Sequence, residues 1–445
     1  MKQLNANIIA VIGAKQVSAE DTWNCIPSQV NYIEIQGDQR PIQSHLLPED
    51  SRFKFIYKPP TLREGTNNKN RLKDRNQLLL VASLSFDFVE LDAAIDLRPE
   101  VLSMIPPHQR LISWKGSDKS LESLEQSINP ILKTEAAYYK IVLEQEEPEQ
   151  AFFPLLLLQK LKCANVICYT DGPNGLWSQI LSLHYGSPFI YGMSDDLPHT
   201  ANHLTISQLI DDYQLPHLHE FNKLYGIVGN SVSRSLSPKM HNNAYRSLSI
   251  PALFLPFNVN DFQSFWSEVV CSKHLDQLGF TIEGLTTVSP HKESACIVAK
   301  TLSSENTKNT NSCNVLYQNE KHWTGSSTDA YGVFYALEKM GYHIIGTKIA
   351  ILGCGGAGRS IAYQLKQAGA SVTVVNRSLE RGMSAAKELQ VKFSPLEGFQ
   401  PSAYTVIINA TPLGKNSGEI PFEPSEVPSG GLIIDMAYTQ ETTEL

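Results

Sequence analysis

Short apolar runs separated by longer polar stretches fill the first half of the chain. NIIAVIGA (7–14), NYIEIQ (31–36), FKFIYK (53–58), FDFVELD (86–92), RLISWK (110–115), YYKIVLE (138–144), NVICYTD (165–171) and PFIYGM (188–193) all have strand length. Eight such runs, each followed by a helix-like or polar stretch, predict a (β/α)8 barrel with its first strand at Ile8–Gly13. REGTNNKNRLKDRNQ (63–77) is polar enough that it must begin as a loop before any helix, an irregularity tolerable at a barrel mouth.

A change of composition in DDYQLPHLHEFNKLYG (211–226) precedes a new apolar strand, GIVGN (226–230), and predicts a domain boundary near residue 220. The segment from 220 to 328 is again mixed α/β, with SSENTKNTNS (303–312) expected as a turn or loop. Beyond it, KIAILGCGGAGRSIAYQLKQAGASVTVVNRS (348–378) runs strand, glycine turn, amphipathic helix, strand, which is a βαβ unit. The expected architecture is α/β throughout: a barrel over 1–219, a mixed α/β domain over 220–328 and a Rossmann domain over 329–445.

Length agrees with this division, since 445 residues at about 150 per domain suggest roughly three folding units. A 42% share of hydrophobic residues against 18% charged supplies material for large cores. Net charge of −8 argues against a broad nucleic-acid surface and leaves room for local basic pockets that take small anions. The opening MKQLNANIIAVIGAK is too short to span a bilayer and has no cleavage pattern, and no later stretch is apolar enough, so no membrane partner is expected. Seven scattered cysteines, odd in number and without CxxC spacing, suit a reducing cytoplasm, and no metal site is expected.

Gly353, Gly355 and Gly358 form GxGxxG between a strand and a helix, with Gly356 and Ala357 in the same turn. Lacking side chains, the glycines let the turn tighten, the backbone approach a pyrophosphate, and the helix pack close to the strand with its N-terminal amides toward the anion. The second strand ends in Asn376-Arg377-Ser378, where an NAD site usually has an acidic residue. A carboxylate would repel a 2′-phosphate, whereas Arg377, helped by Arg381, can pair with it, so NADP is the expected cofactor.

Several ordered motifs resemble the shikimate dehydrogenase family. They are GNSVSRSLSPKMHN (229–242), GLTTVSPHKE (284–293), SCNVL (312–316), GSSTDAYG (325–332), the glycine turn, NRS, NATPLG (409–414) and DMAY (435–438). The resemblance implies that Lys292 and Asp329 are the proton-transferring pair, and that Asn314 and Thr328 bind substrate hydroxyls. It also implies that Asn409 and Thr411 belong to the cofactor side and that Tyr438 supports the substrate. Chemistry agrees: ketone reduction needs a proton delivered to oxygen as well as a hydride to carbon, and a partly desolvated lysine held by a carboxylate can deliver it. Ser235 and Ser237, two residues apart, can both donate to one carboxylate. Ser237 as N-cap and Pro238 as N1 would set them at a helix N-terminus. The family's threonine four residues before the lysine is Val288 here, so a pocket hydroxyl must come from Thr286 or Thr287. Family members continue past DMAY with a helix that carries a glutamine to the substrate; the sequence ends at Leu445, so that helix is expected to be lacking.

The barrel half resembles the type I 3-dehydroquinate dehydratases, which are fused to shikimate dehydrogenases in plants and some bacteria. YYKIVLE is similar to the strand bearing the Schiff-base lysine, which makes Lys140 the nucleophile; inside a barrel it would lose hydration and have its pKa lowered. Glu34 in YIEIQGD and Glu64 in REG match substrate-binding positions, and Ser178 falls in GPNGLWSQILSLHYGSPF (172–189). Gln36, Pro60 and Gln179 stand where the family has arginines, and Lys115 where it has its acid–base histidine. Together the resemblances imply interconversion of 3-dehydroshikimate and shikimate with NADP, fused to a barrel that acts on 3-dehydroquinate or has lost that activity. A quinate/shikimate dehydrogenase using NAD, and a catalytically silent sensing or scaffolding fusion, remain open alternatives.

Overall fold

The computed structural model describes residues 4–17, 22–38, 42, 47–48, 52–61, 69–172, 175–195, 203–320, 322–414 and 419–437. Glu64 and Tyr438 lie outside them. Contacts divide the chain into two compact units, Met1–Ile282 and Glu283–Leu445.

In the first unit all eight apolar runs form strands: β1 (Asn7–Gly13), β2 (Val30–Gln36), β3 (Lys54–Lys58), β4 (Phe88–Asp92), β5 (Arg110–Gly116), β6 (Tyr138–Glu144), β7 (Val166–Asp171) and β8 (Phe189–Met193). Each pairs in parallel with the next from β1 to β7, and β8 returns to pair with β1, giving a nearly closed barrel whose ladder is interrupted between β7 and β8. Parallel strands buried on both faces need apolar side chains at successive positions, which is why these runs scarcely alternate. Ile9, Val11, Phe88, Leu111, Val142 and Phe189 pack together in one cluster. Ile112, Ile141 and Leu143, next to Leu111 and Val142 in sequence, pack instead with Cys168 and with Leu124, Ile128, Leu157 and Leu158 of the covering helices. Strand periodicity therefore sends Lys140, two residues from Val142, into the barrel interior.

Past β8 a helix at Ile206–Tyr213 precedes a two-residue strand, His217–Leu218, which pairs with Leu4–Asn5. The strands Lys223–Gly229 and Ala252–Asn258 then run parallel, joined through the helix Ser237–Ser247. That helix begins one residue earlier than the sequence predicts: Leu236 holds the N-cap position, Ser237 is the first helical residue and Pro238 the second. Leu236 offers no side-chain cap; Ser235 Oγ instead accepts the Ser237 N–H at 3.2 Å.

The chain enters the second unit within the strand Thr281–Thr287. This strand pairs antiparallel with Val315–Asn319, which pairs antiparallel with His322–Ser326. SSENTKNTNS is not a plain loop: Glu305–Thr310 is helical, capped by Ser304, whose hydroxyl accepts the Thr307 N–H, and closed by Asn311 at φ +48°. Its cap and stop residues create it, without the apolar periodicity that would have announced it.

A five-stranded parallel sheet completes the unit, in the spatial order Lys392–Pro395, Ser371–Asn376, Lys348–Leu352, Val406–Asn409, Leu432–Asp435. The helix Gly356–Gln367 connects the central strand to its neighbour. Strand order reverses beside Lys348–Leu352, the place where a doubly wound sheet opens a ligand crevice. Among the described residues no helix is long and apolar enough to cross a membrane, and no cluster of His, Cys, Asp and Glu is placed to hold a metal. All seven cysteines are free.

Candidate active sites

Lys292 opens the helix Lys292–Val298 and Asp329 opens the helix Asp329–Lys339. Lys292 Nζ lies 2.6 Å from Asp329 Oδ2, with side chains 15% and 12% exposed, so the pair is shielded yet reachable. Asn314 fixes the carboxylate from its other side: Nδ2 donates to Asp329 Oδ1 at 3.0 Å and to Thr328 Oγ1 at 2.9 Å, while Oδ1 accepts the Thr328 N–H at 2.8 Å. The Thr287 N–H donates to the Asn314 carbonyl at 2.8 Å, and the Cys313 N–H to the Lys292 carbonyl at 3.0 Å. One connected network therefore unites Thr287, Lys292, Asn314, Thr328 and Asp329. Of Thr286 and Thr287, Thr287 is fully buried and its Oγ1 has no hydrogen-bond partner among the described residues, an unmet polar group beside this network.

A cavity of about 480 Å³ extends from Lys292 along the glycine turn to the end of the second strand. Gly353, Gly355, Gly356 and Ala357 line it on one side, and Asn376, Arg377, Ser378 and Arg381 at the far end. Gly358 stands behind the turn, where a Cβ would come 2.0 Å from the Gly353 carbonyl oxygen. The place of a Cβ on Gly355 is open space, so an anion can approach the backbone there and meet the N-terminus of the Gly356–Gln367 helix. Thr411 also lines the cavity, and Asn409, fully buried, orients it: Asn409 Oδ1 accepts from Thr411 Oγ1 at 2.6 Å. Ser378 caps the helix Leu379–Leu389 through the Arg381 N–H, and no carboxylate stands in the Asn376–Ser378 strand end. These residues fit a dinucleotide carrying an extra phosphate.

Gly356 joins the two parts. A Cβ there would come 3.0 Å from Lys292 Cβ, 3.1 Å from Lys292 Cδ and 2.5 Å from Ser312 Oγ, so the turn lies directly against the lysine.

In the other unit, Ser235 and Ser237 occupy the loop and first turn described above, and both are part-exposed. Asn258, 3% exposed, braces the loop by accepting the Val232 N–H at 2.9 Å.

In the barrel, Lys140 Nζ lies 3.0 Å from Glu34 Oε2 and 3.3 Å from Glu90 Oε2, and 4.0 Å from the centroid of the Tyr191 ring. Lys58 approaches Glu34 at 3.8 Å. The expected lowering of Lys140 does not occur. Burial acts in that direction, but Glu34 and Glu90 outweigh it and hold the ammonium well above the ordinary lysine value. Burial would likewise raise Glu34, yet Lys140 and Lys58 bring it down to about 2.

Lys115 is half-exposed and paired with Asp171 at 2.9 Å and Glu144 at 3.2 Å; despite partial burial, these carboxylates raise it above its ordinary value. Ser178 and Gln179 are both buried in the helix Gly175–His184. Ser178 Oγ accepts the Thr170 N–H and donates to the Gly175 carbonyl, which ties that helix to β7. Gln36 is exposed at the end of β2, and the Pro60 carbonyl accepts from Arg75 at 2.9 Å. Sequence reasoning missed Glu90, Lys58 and Tyr191. A charge inside the apolar run FVELD was the available signal for Glu90.

Three family models match the chain: the type I 3-dehydroquinase over residues 38–220, the shikimate dehydrogenase substrate-binding domain over 227–316, and the coenzyme F420-dependent NADP oxidoreductase over 348–437. The bifunctional 3-dehydroquinate dehydratase/shikimate dehydrogenase of Arabidopsis thaliana chloroplasts is 26% identical over 423 residues, covering 88% of this chain and 67% of its own. The shikimate biosynthesis protein AroDE of Chlamydia pneumoniae is 27% identical over 341 residues, covering 76% and 69%. The NADP(+) shikimate dehydrogenase of Pyrococcus furiosus is 35% identical over 230 residues, covering 50% of this chain and 79% of its own. The chain belongs to the shikimate dehydrogenase family, and the barrel ahead of that similarity matches the type I 3-dehydroquinase model.

Proposed function

We propose that the chain interconverts 3-dehydroshikimate and shikimate with NADP in the route to chorismate. The observation that carries this reading is the Lys292–Asp329 pair at one end of a cavity whose other end holds Arg377 and Arg381. Gly353, Gly355, Gly356 and Ala357 take the pyrophosphate against the helix N-terminus, Arg377 and Arg381 take the 2′-phosphate, and Asn409 sets Thr411. Bound there, NADPH supplies the hydride. Lys292 gives its proton to the carbonyl oxygen and recovers it from the hydroxyl in the reverse direction, while Asp329 holds the ammonium in place. Ser235 and Ser237 take the substrate carboxylate. Asn314, Thr328 and Thr287 orient its hydroxyls, and Tyr438 supports it. Domain divisions near 220 and 328 and a reducing, cytoplasm-like compartment go with this reading. In the test, purified protein given shikimate and NADP+ forms NADPH; no turnover with shikimate, or clear preference for quinate or NAD+, would sink it.

For the barrel, Lys140 with Glu34 and Glu90 supports chemistry on 3-dehydroquinate by a Schiff base, with Glu64 as a further substrate contact. A silent barrel is the second reading, favoured by the ammonium locked between two carboxylates and by Lys115 in a half-exposed ion-pair cluster. Borohydride reduction in the presence of 3-dehydroquinate decides between them. A covalent adduct on Lys140 supports the active barrel; absence of both adduct and dehydration supports the silent one.

A further inference from the structure

The helix Ile206–Tyr213, last of the barrel half, begins with a reciprocal cap: Thr205 Oγ1 accepts the Gln208 N–H at 3.2 Å, and Gln208 Oε1 accepts the Thr205 N–H at 3.0 Å. A capping residue usually leaves its remaining amide group to solvent. Here Gln208 Nε2 instead donates to the Ser233 carbonyl at 2.5 Å. Ser233 lies in the loop that carries Ser235 and Ser237. The orientation of the amide is over-determined, because turning it over would put its oxygen against the Ser233 carbonyl oxygen and its nitrogen against the Thr205 N–H.

The loop is held at few points. Asn258 holds the Val232 N–H on one side, the Ser235 N–H turns back to the Val232 carbonyl at 3.0 Å, and Gln208 holds the Ser233 carbonyl between them. A second tie, Lys239 to Asp211 at 2.8 Å, joins the same helix to the Ser237–Ser247 helix that follows the loop, and both ties lie within one compact unit. Two hydroxyls that must donate to one carboxylate gain affinity when their loop is already set in the binding geometry.

We infer that Gln208 is a positioning residue for the substrate carboxylate: a side chain of the barrel half sets the serine loop of the dehydrogenase half by its bond to the Ser233 carbonyl. This rests on the reading of Ser235 and Ser237 as the carboxylate donors. It gives the barrel a part in dehydrogenase function whether or not Lys140 forms an adduct.

The test compares full-length wild type with Gln208→Glu and Gln208→Met, measuring KM for shikimate, KM for NADP+ and kcat. Gln208→Glu keeps the acceptor for the Thr205 N–H and replaces only the donor that faces Ser233. KM for shikimate is expected to rise about tenfold, the worth of one hydrogen bond with its acceptor left facing an oxygen, with kcat and KM for NADP+ within about twofold of wild type. Gln208→Met, uncharged, is expected to raise the same KM by a smaller factor, which separates lost positioning from added charge and decides the matter if the Glu variant fails to fold. Unchanged KM for shikimate in either folded variant, or a fall in kcat alone, overturns the inference while leaving wild-type turnover intact. A wild type that cannot oxidise shikimate overturns the functional reading and this inference with it.

Discussion

Lys292 Nζ sits 2.6 Å from Asp329 Oδ2 while Asn314 holds the other oxygen of the same carboxylate at 3.0 Å. The lysine is thus oriented by a group that is itself fixed on both sides. Lys292→Ala should lower kcat by about 10²- to 10⁴-fold, the usual worth of a general acid, with NADPH affinity within a few-fold of wild type. Steady-state rates together with titration of NADPH fluorescence check both halves of this expectation; near-normal kcat would remove Lys292 from proton transfer.

The strand end at Asn376–Ser378 predicts the direction of a cofactor switch. Arg377→Ala should weaken NADP+ by roughly 1.5–3 kcal/mol, the loss of a charge-assisted hydrogen bond, and leave NAD+ almost unaffected. Arg377→Asp should go further and repel the 2′-phosphate. Equal effects on KM for both cofactors would show that Arg377 does not meet that phosphate.

The barrel ion cluster has a defined acid limit. Glu34 falls from 4.5 to about 2 in the folded chain, so the stability it contributes is complete above 4.5 and is lost as pH falls through about 2. Removing Lys140 instead leaves the buried Glu34 and Glu90 with Lys58, 3.8 Å from Glu34, to offset their charge. Lys140→Ala should cost about 3–5 kcal/mol at neutral pH. Adding Glu34→Gln and Glu90→Gln should recover much of that, as read by urea unfolding. A Lys140→Ala variant as stable as wild type would mean that water already screens the carboxylates.

Asp212 works in the opposite sense. It is 7% exposed, on the helix that carries Gln208. Burial raises it from 3.8 to about 7, with Lys239 opposing the shift and Asp211 adding to it. A folded-state value above the unfolded one means that its stability contribution is complete below 3.8 and is lost as pH rises through about 7. Asp212→Asn should therefore raise stability at pH above about 7, by on the order of 4 kcal/mol at most, and match wild type at low pH. Thermal melts across that range check it; a constant difference at every pH would place the effect in packing rather than in charge.

How far the fold could be read in advance depended on whether the signal was local. The eight barrel strands and the βαβ unit were legible because burial on both faces, or a glycine turn between two apolar runs, marks them within a few residues. Glu305–Thr310 was not, because a short polar helix made by its Ser304 cap carries no apolar stripe. Lys292 and Asp329 were identified only by motif context, since either residue alone resembles an ordinary surface charge. The rise of Lys140 was hidden for another reason: it depends on Glu90, fifty residues away in sequence and brought close only by barrel closure. Gln208 and Ser233, twenty-five residues apart, belong to the same class.

The closeness of Gly356 to Lys292 has a consequence for inheritance and for engineering. Hydride delivery and proton delivery are usually treated as separable modules, the one carried by the dinucleotide fold and the other by the catalytic residues. In the mechanism proposed for this chain, a single missing methyl group at 356 bears on both. An exchange of the dinucleotide turn that introduces alanine or serine at 356 would place a Cβ 2.5 Å from Ser312 Oγ and 3.0 Å from Lys292 Cβ, so Ser312 must shift and the lysine must give way by a few tenths of an ångström. Turns transplanted from other dehydrogenases should therefore fit best when they bring glycine to this position, and any other residue there calls for a compensating change at Ser312 or Lys292.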